Sequence, residues 1–269
     1  VILGDQSHTF LYEAGGISSF GGVHSRQIKN YDDGTMSLED IKNSIRKKDV
    51  HFPPSRLVCL ENTHNRCFGM PLDINYINKV SEIVKNNSMM LHVDGARIFN
   101  AAAALNKSVA ELTSEVDSVS FCLSKGLSAP SGSLLCGKEW FIEKARFNRK
   151  ALGGGMRQSG ILAAAGIVAL NEMPKKIIKD HQNASTLAKG LNAISGISID
   201  LEKVKTNIIY FKLDHSKIDS VTLINSMLKK NIKFFELGPN WFRLVTHAGI
   251  NEEDIDHVLI QFKDLFSKI

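Results

Sequence analysis

Three short apolar runs each end in groups that can do chemistry. Leu57 to Leu60 gives way to Glu61-Asn62-Thr63-His64-Asn65. Met89 to Val93 gives way to Asp94-Gly95-Ala96-Arg97, and Val116 to Cys122 to Leu123-Ser124-Lys125-Gly126. Runs of this length read as strands, and ligands of a parallel sheet gather at the carboxyl ends of its strands. A lysine at a buried strand end can form a Schiff base with a carbonyl. A carboxylate nearby can keep a pyridine nitrogen protonated, so that the ring withdraws electrons. Taken together, Lys125 and Asp94 point to pyridoxal phosphate. Each also has a plainer reading. An aspartate after a strand is a ready N-cap for the helix over Ala96 to Leu105, and a lysine in a Ser-Lys-Gly turn is commonly a solvated surface group.

A further cluster is Arg149-Lys150 followed by Gly153-Gly154-Gly155-Met156-Arg157. Glycines before a helix let backbone N–H groups approach a phosphate, and a helix N-terminus favours an anion. Lys150 and Arg157 add charge there. The alternative is a flexible junction carrying solvated cations.

These groups need elements to hold them. Ile74, Ile77, Val80, Ile83 and Val84 fall on one face at helical spacing, and Ile98 to Leu105 reads as a short helix. Val1 to Gly4 reads as the end of a strand, and Ser133 to Cys136 as a further strand. Alternation of strand and helix predicts an α/β domain with a largely parallel sheet and helices on both faces. After the glycines, Ser159 to Leu170 reads as a long helix, with Pro174 as a kink or break. The chain then changes character. Helices are expected over Lys176 to Leu191, Ser220 to Lys230 and Glu252 to Ser267. Strands are expected over Thr206 to Leu213, Ile232 to Phe235 and Trp241 to Val245. The expected division is a cofactor-binding large domain over 1–173 and a small α+β domain over 174–269.

The composition fits this plan. The chain has 269 residues, 43% hydrophobic and 23% charged, with Lys plus Arg at 33 against Asp plus Glu at 28, a net charge of +5. That is a globular chain with a buried core, neither disordered nor fibrous. The basic excess is scattered, so no nucleic-acid partner is expected and a small anionic ligand fits better. No run of about 18 apolar residues exists, and no membrane span is expected. The four cysteines form no CxxC pair, so no metal site is expected. Cys59, Cys122 and Cys136 sit in apolar runs and read as buried thiols of a reducing compartment, the cytoplasm. The sequence opens at Val1 without a signal or transit pattern and reads as the remainder of a longer protein.

The stretches LENTHN (60–65), LHVDGARIFNAAAAL (91–105), SFCLSKGLSAPSGSLLCG (120–137), RKALGGGMRQSGILAAAGIVAL (149–170) and RLVTH (243–247) resemble L-threonine aldolases of the low-specificity type. GDQSHTFLYEAGG (4–16) is similar as well, and the resemblance runs in order over essentially the whole chain. It implies the aspartate-aminotransferase-like architecture (pyridoxal-phosphate fold type I) and retro-aldol cleavage of L-threonine or L-allo-threonine to glycine and acetaldehyde. It implies pyridoxal phosphate on Lys125, with Asp94 at the ring nitrogen, His8 stacked on the ring and Arg97 near the cofactor oxygen and the substrate carboxylate. It also places His64 near the substrate side chain, and Arg243 on the carboxylate. Lys150 and Arg157 resemble residues that reach the cofactor phosphate of a neighbouring subunit, in a homo-oligomer (a dimer or tetramer) with shared sites. The base for the β-hydroxyl is His8, His64 or a water. The resemblance further implies an upstream segment with a serine for the carboxylate and a turn for the phosphate. Ser128 and Ser131, and Arg66 to Pro71, depart from the family pattern but remove no catalytic group. Two other readings stay open: another β-eliminating lyase on the same fold, and a catalytically inert truncated paralogue.

Overall fold

The structure is a computed structural model and describes residues 1–268. The chain forms two compact units, Val1–Lys175 and Lys176–Ile269. The first is built on strands β1 (Ile2–Gly4), β2 (Arg26–Ile28), β3 (Leu57–Glu61), β4 (Met90–Asp94), β5 (Ser118–Cys122) and β6 (Ser133–Gly137). Its helices are α1 (His8–Leu11), α2 (Gly16–Ser19), α3 (Leu38–Ser44), α4 (Ile74–Asn86), α5 (Ile98–Leu105), α6 (Val109–Leu112), α7 (Glu139–Ala151) and α8 (Gly160–Glu172).

These strands form one sheet in the order β2-β1-β3-β4-β5-β6. All pairs are parallel except β5 with β6. The chain leaves β1 toward one side to make β2 and returns to the other side to make β3. A crevice therefore opens between β1 and β3 at their carboxyl ends. Helix formation follows the periodicity. Asp73 caps α4 by accepting the Asn75 N–H at 2.7 Å, and Ile77, Val80, Ile83 and Val84 are buried as expected. Strand β1 and residues 58–61 of β3 are buried on both faces, as a covered parallel sheet requires, whereas in β4 only the face of Leu91 and Val93 is buried.

The antiparallel edge differs. Every residue of β6 is exposed. In α8, which is apolar on all sides, only Gly166 and Ala169 are buried. Phe147, Leu152, Met156 and Ile161 are exposed by 76%, 67%, 65% and 81%. Cys59 and Cys67 are buried, Cys122 is half-buried, and Cys136 is exposed. The expectation of a buried Cys136 is thus corrected: it lies on the edge strand β6, whose residues are exposed on both faces within the unit.

The second unit contains α9 (Ile177–Asn192), β7 (Ile197–Ser198), β8 (Ile208–Leu213), α10 (Ser220–Leu228), β9 (Phe235–Gly238), β10 (Trp241–Val245) and α11 (Glu252–Phe266). Its antiparallel sheet runs β7-β8-β10-β9. Phe211, Phe242 and Phe262 are fully buried, and Phe211 stacks on Phe242 at 4.8 Å. One strand begins later than its apolar run. Ile232 and Phe234 are buried but outside the ladder, because the chain here closes α10: Asn231, at φ 60°, and Ile232 donate their N–H groups to Leu228 O and Met227 O. Among the described residues no helix is long and apolar enough to cross a membrane.

Candidate active site

The strand ends of the first unit carry the expected groups to one edge. Glu61 and Asp94 are register partners on β3 and β4, and Asp94 pairs with Ser120 on β5. Register partners on adjacent parallel strands project to the same face, about 4.8 Å apart. Asp94 is half-buried. Burial and the Glu61 charge push its carboxyl group up from the ordinary carboxylate value, while His92 and Lys125 pull it back. Its Oδ1 accepts the Ala96 N–H at 3.2 Å. The plainer reading of Asp94 as a helix cap fails, because the N-cap of α5 is Arg97.

Lys125 lies in the turn after β5, half-buried. Its carbonyl accepts the Ser128 N–H at 2.9 Å. The turn crosses α5 at Gly126, where a Cβ would lie 2.6 Å from Asn100 Oδ1. Glycine is what lets the backbone come this close. Lys125 is therefore no freely solvated surface group.

His8 follows β1 and His64 follows β3, one on each side of the crevice. His8 Nε2 is 2.6 Å from Glu13 Oε1, and its ring lies 4.9 Å from that of Tyr12. His64 is fully buried, and neither ring nitrogen has a hydrogen-bond partner. Burial holds it neutral, with a pKa lowered to about 4 against opposing pulls from Asp94 and Asp5. Its own loop is tied down, with the His64 N–H donated to Met70 O at 2.9 Å.

A buried residue between them carried no role in the sequence reading. Glu61 is 4% exposed. It accepts the His8 N–H on Oε2 at 2.6 Å and the Asn65 N–H on Oε1 at 2.8 Å. Burial raises its pKa, offset by those two bonds and by the charges of His8 and Arg97. The available signal was an apolar run leading directly into an acid.

Arg97 starts α5, within reach of Glu61's field. Arg243 is central in β10 of the second unit, opposite Tyr210 and Phe235. Lys150 and Arg157 are exposed on the first unit. The glycines between them are not at a helix N-terminus. Gly153 and Gly154 donate to Lys150 O and Arg149 O, closing the end of α7, and α8 begins only at Gly160. Of the two readings of this stretch, the phosphate cradle loses two donors within this chain, because the Gly153 and Gly154 amides satisfy the terminal carbonyls of α7.

A beta-eliminating lyase family model matches residues 1–214. Low-specificity L-threonine aldolase 1 of Arabidopsis thaliana is 45% identical over 98% of this chain and 74% of its own length. The low specificity L-threonine aldolase of Escherichia coli K12 is 36% identical over 99% of this chain and 77% of its own. The chain belongs to the beta-eliminating lyase family, among the low-specificity L-threonine aldolases. The threonine aldolase structure of Leishmania major superposes with a TM-score of 0.81 at 17% identity, over 99% of this chain and 77% of that one. This gives the fold: the aldolase architecture is the aspartate-aminotransferase-like, pyridoxal-phosphate fold type I arrangement.

The aldolase-type site fits a pyridoxal ring on its own geometry. The Ala96 N–H donates to Oδ1 of the Asp94 carboxylate, and the other oxygen can face a protonated ring nitrogen. Lys125 lies in the turn after the next strand, near enough for its charge to act on Asp94. The two unpartnered nitrogens of His64 mark a polar lining that a substrate group can satisfy.

Proposed function

We propose that this chain is a pyridoxal-phosphate-dependent lyase that cleaves L-threonine and L-allo-threonine to glycine and acetaldehyde. One observation carries the reading: Asp94 ends β4 and Lys125 lies in the turn after the adjacent parallel strand β5, at the ligand-binding edge, in a chain of this family. When bound, the cofactor supplies an electron sink for the pair left on Cα after the Cα–Cβ bond breaks.

The chain's own residues do the rest. Lys125 supplies the amine that tethers the cofactor. Asp94 holds the proton on the ring nitrogen, which keeps the sink effective. His8 covers one ring face. Arg97 and Arg243 take the substrate carboxylate, Arg243 as a bidentate partner, and so choose which bond at Cα is labile. His64, neutral at physiological pH, presents a lone pair to the β-hydroxyl. The proton leaves to His8, to His64 or to a water between them.

The reading extends to the assembly. Lys150 and Arg157 lie beside the exposed apolar side chains of α7 and α8, which supports a homo-oligomer whose subunits complete each other's phosphate sites. The four free cysteines support a reducing compartment, the cytoplasm.

The test is product analysis on the purified chain with added cofactor. L-Threonine is expected to give equal amounts of glycine and acetaldehyde. Ammonia and a 2-oxoacid would instead mean elimination, and no turnover would mean an inert paralogue. Borohydride trapping followed by peptide mapping is expected to label Lys125, and a label elsewhere would overturn the assignment.

A further inference from the structure

We propose that Glu61 is a positioning residue: one buried carboxylate that ties the His8 and His64 loops together across the crevice between β1 and β3. The proposal rests on the lyase reading above and deepens it.

The two carboxylate oxygens face different loops. Oε2 accepts the N–H of His8, at the start of α1, at 2.6 Å. Oε1 accepts the N–H of Asn65, next to His64, at 2.8 Å. Oε2 also lies 3.9 Å from His64 Nε2. The first bond joins segments 53 residues apart, from strands on opposite sides of the sheet's reversal point. Within the first unit this places both histidines relative to the end of β3.

The choice of residue supports the role. Glu61 is buried beside Asp94, its register partner, and its charge makes Asp94 harder to ionise. Glutamine has nearly the same shape and would remove that repulsion. It offers only one acceptor oxygen, however, and its amide would face a second N–H donor. Two charge-assisted bonds, in two directions, require the carboxylate. The nearby positive charge of Arg97 further offsets its burial. Displacement of a reacting group by about 1 Å can cost on the order of a hundredfold in rate, so loosening either loop is expected to act on turnover.

The experiment has a readout that needs no cofactor. In the cofactor-free chain, the His8 and Asn65 amide protons are expected far downfield and slow to exchange, and in Glu61→Gln at least one is expected to move upfield and exchange faster. With cofactor, Glu61→Gln is expected to lower kcat for threonine about tenfold to a hundredfold. That loss is expected to shrink when His8→Ala and His64→Ala are already present, since Glu61 then has no catalytic group to place. Wild-type amides that exchange like those of an open loop would overturn the proposal. So would an equal loss from Glu61→Gln in both backgrounds. If the variant does not fold, the wild-type amides still decide. If wild type shows the protected amides but forms no acetaldehyde, the tie between the loops stands and the lyase reading fails.

Discussion

Asp94 receives one backbone hydrogen bond and shares its strand edge with a second, buried acid. Apart from that one bond the arrangement does not favour folding, since burial and the neighbouring charge both oppose its ionisation. Asp94→Asn is therefore expected to keep the circular dichroism spectrum and to keep or raise the denaturation midpoint, yet to lower kcat by about 10²–10³ through loss of charge stabilisation. Near-normal turnover would sink its assignment to the ring nitrogen. His64 gives a pH prediction. Its native pKa is about 4, against roughly 6.5 in an unfolded chain. Between these values the unfolded chain takes up a proton that the native state refuses, so stability falls as pH drops through this window. Relative to His64→Gln, wild type is expected to lose about 3 kcal/mol from pH 7 to pH 4. Urea midpoints across that range check the sign and the size.

Lys125 depends on the short turn that carries it. Ser128 sits there at φ 58°, in the left-handed region. This is the position at which the family resemblance leads one to expect glycine, and the backbone supplies the reason: a residue without Cβ adopts that conformation without strain. Ser128→Gly is expected to stabilise the fold by about 0.5–1 kcal/mol, the relief of strain exceeding the added freedom of the unfolded chain. A denaturant series would show it, and a lower midpoint would refute it. Gly95 is the opposite case. A Cβ there would lie 2.9 Å from Ser120 O and 3.0 Å from Ile98 Cβ, so Gly95→Ala has no room between β4, β5 and α5. It is expected to destabilise by about 1–3 kcal/mol, read by the same series.

At the scale of the molecule, the exposed apolar side chains of α7 and α8 depart from an ordinary surface. Ile161 is 81% and Phe147 76% exposed, and Lys150 and Arg157 lie among them in sequence. Such surface normally marks an interface. Wild type is expected to sediment as a dimer or larger at micromolar concentration, and Ile161→Lys as a smaller species. A monomeric wild type would overturn the oligomer reading.

The sequence determined the parts that depend on local periodicity and residue chemistry. Helix α4 and its buried face, α5, β10, and the arrival of Asp94 and Lys125 at strand ends all follow from spacing within about a dozen residues. Only the tertiary structure decided what crosses between distant segments. The reversal of strand order at β1 put His8 opposite His64, and gave Glu61 two donors from either side of one crevice. The tertiary structure also exposed Cys136 on an edge strand. Local pattern carries no record of which elements become neighbours, because that is set by how sheet order and burial close the whole unit.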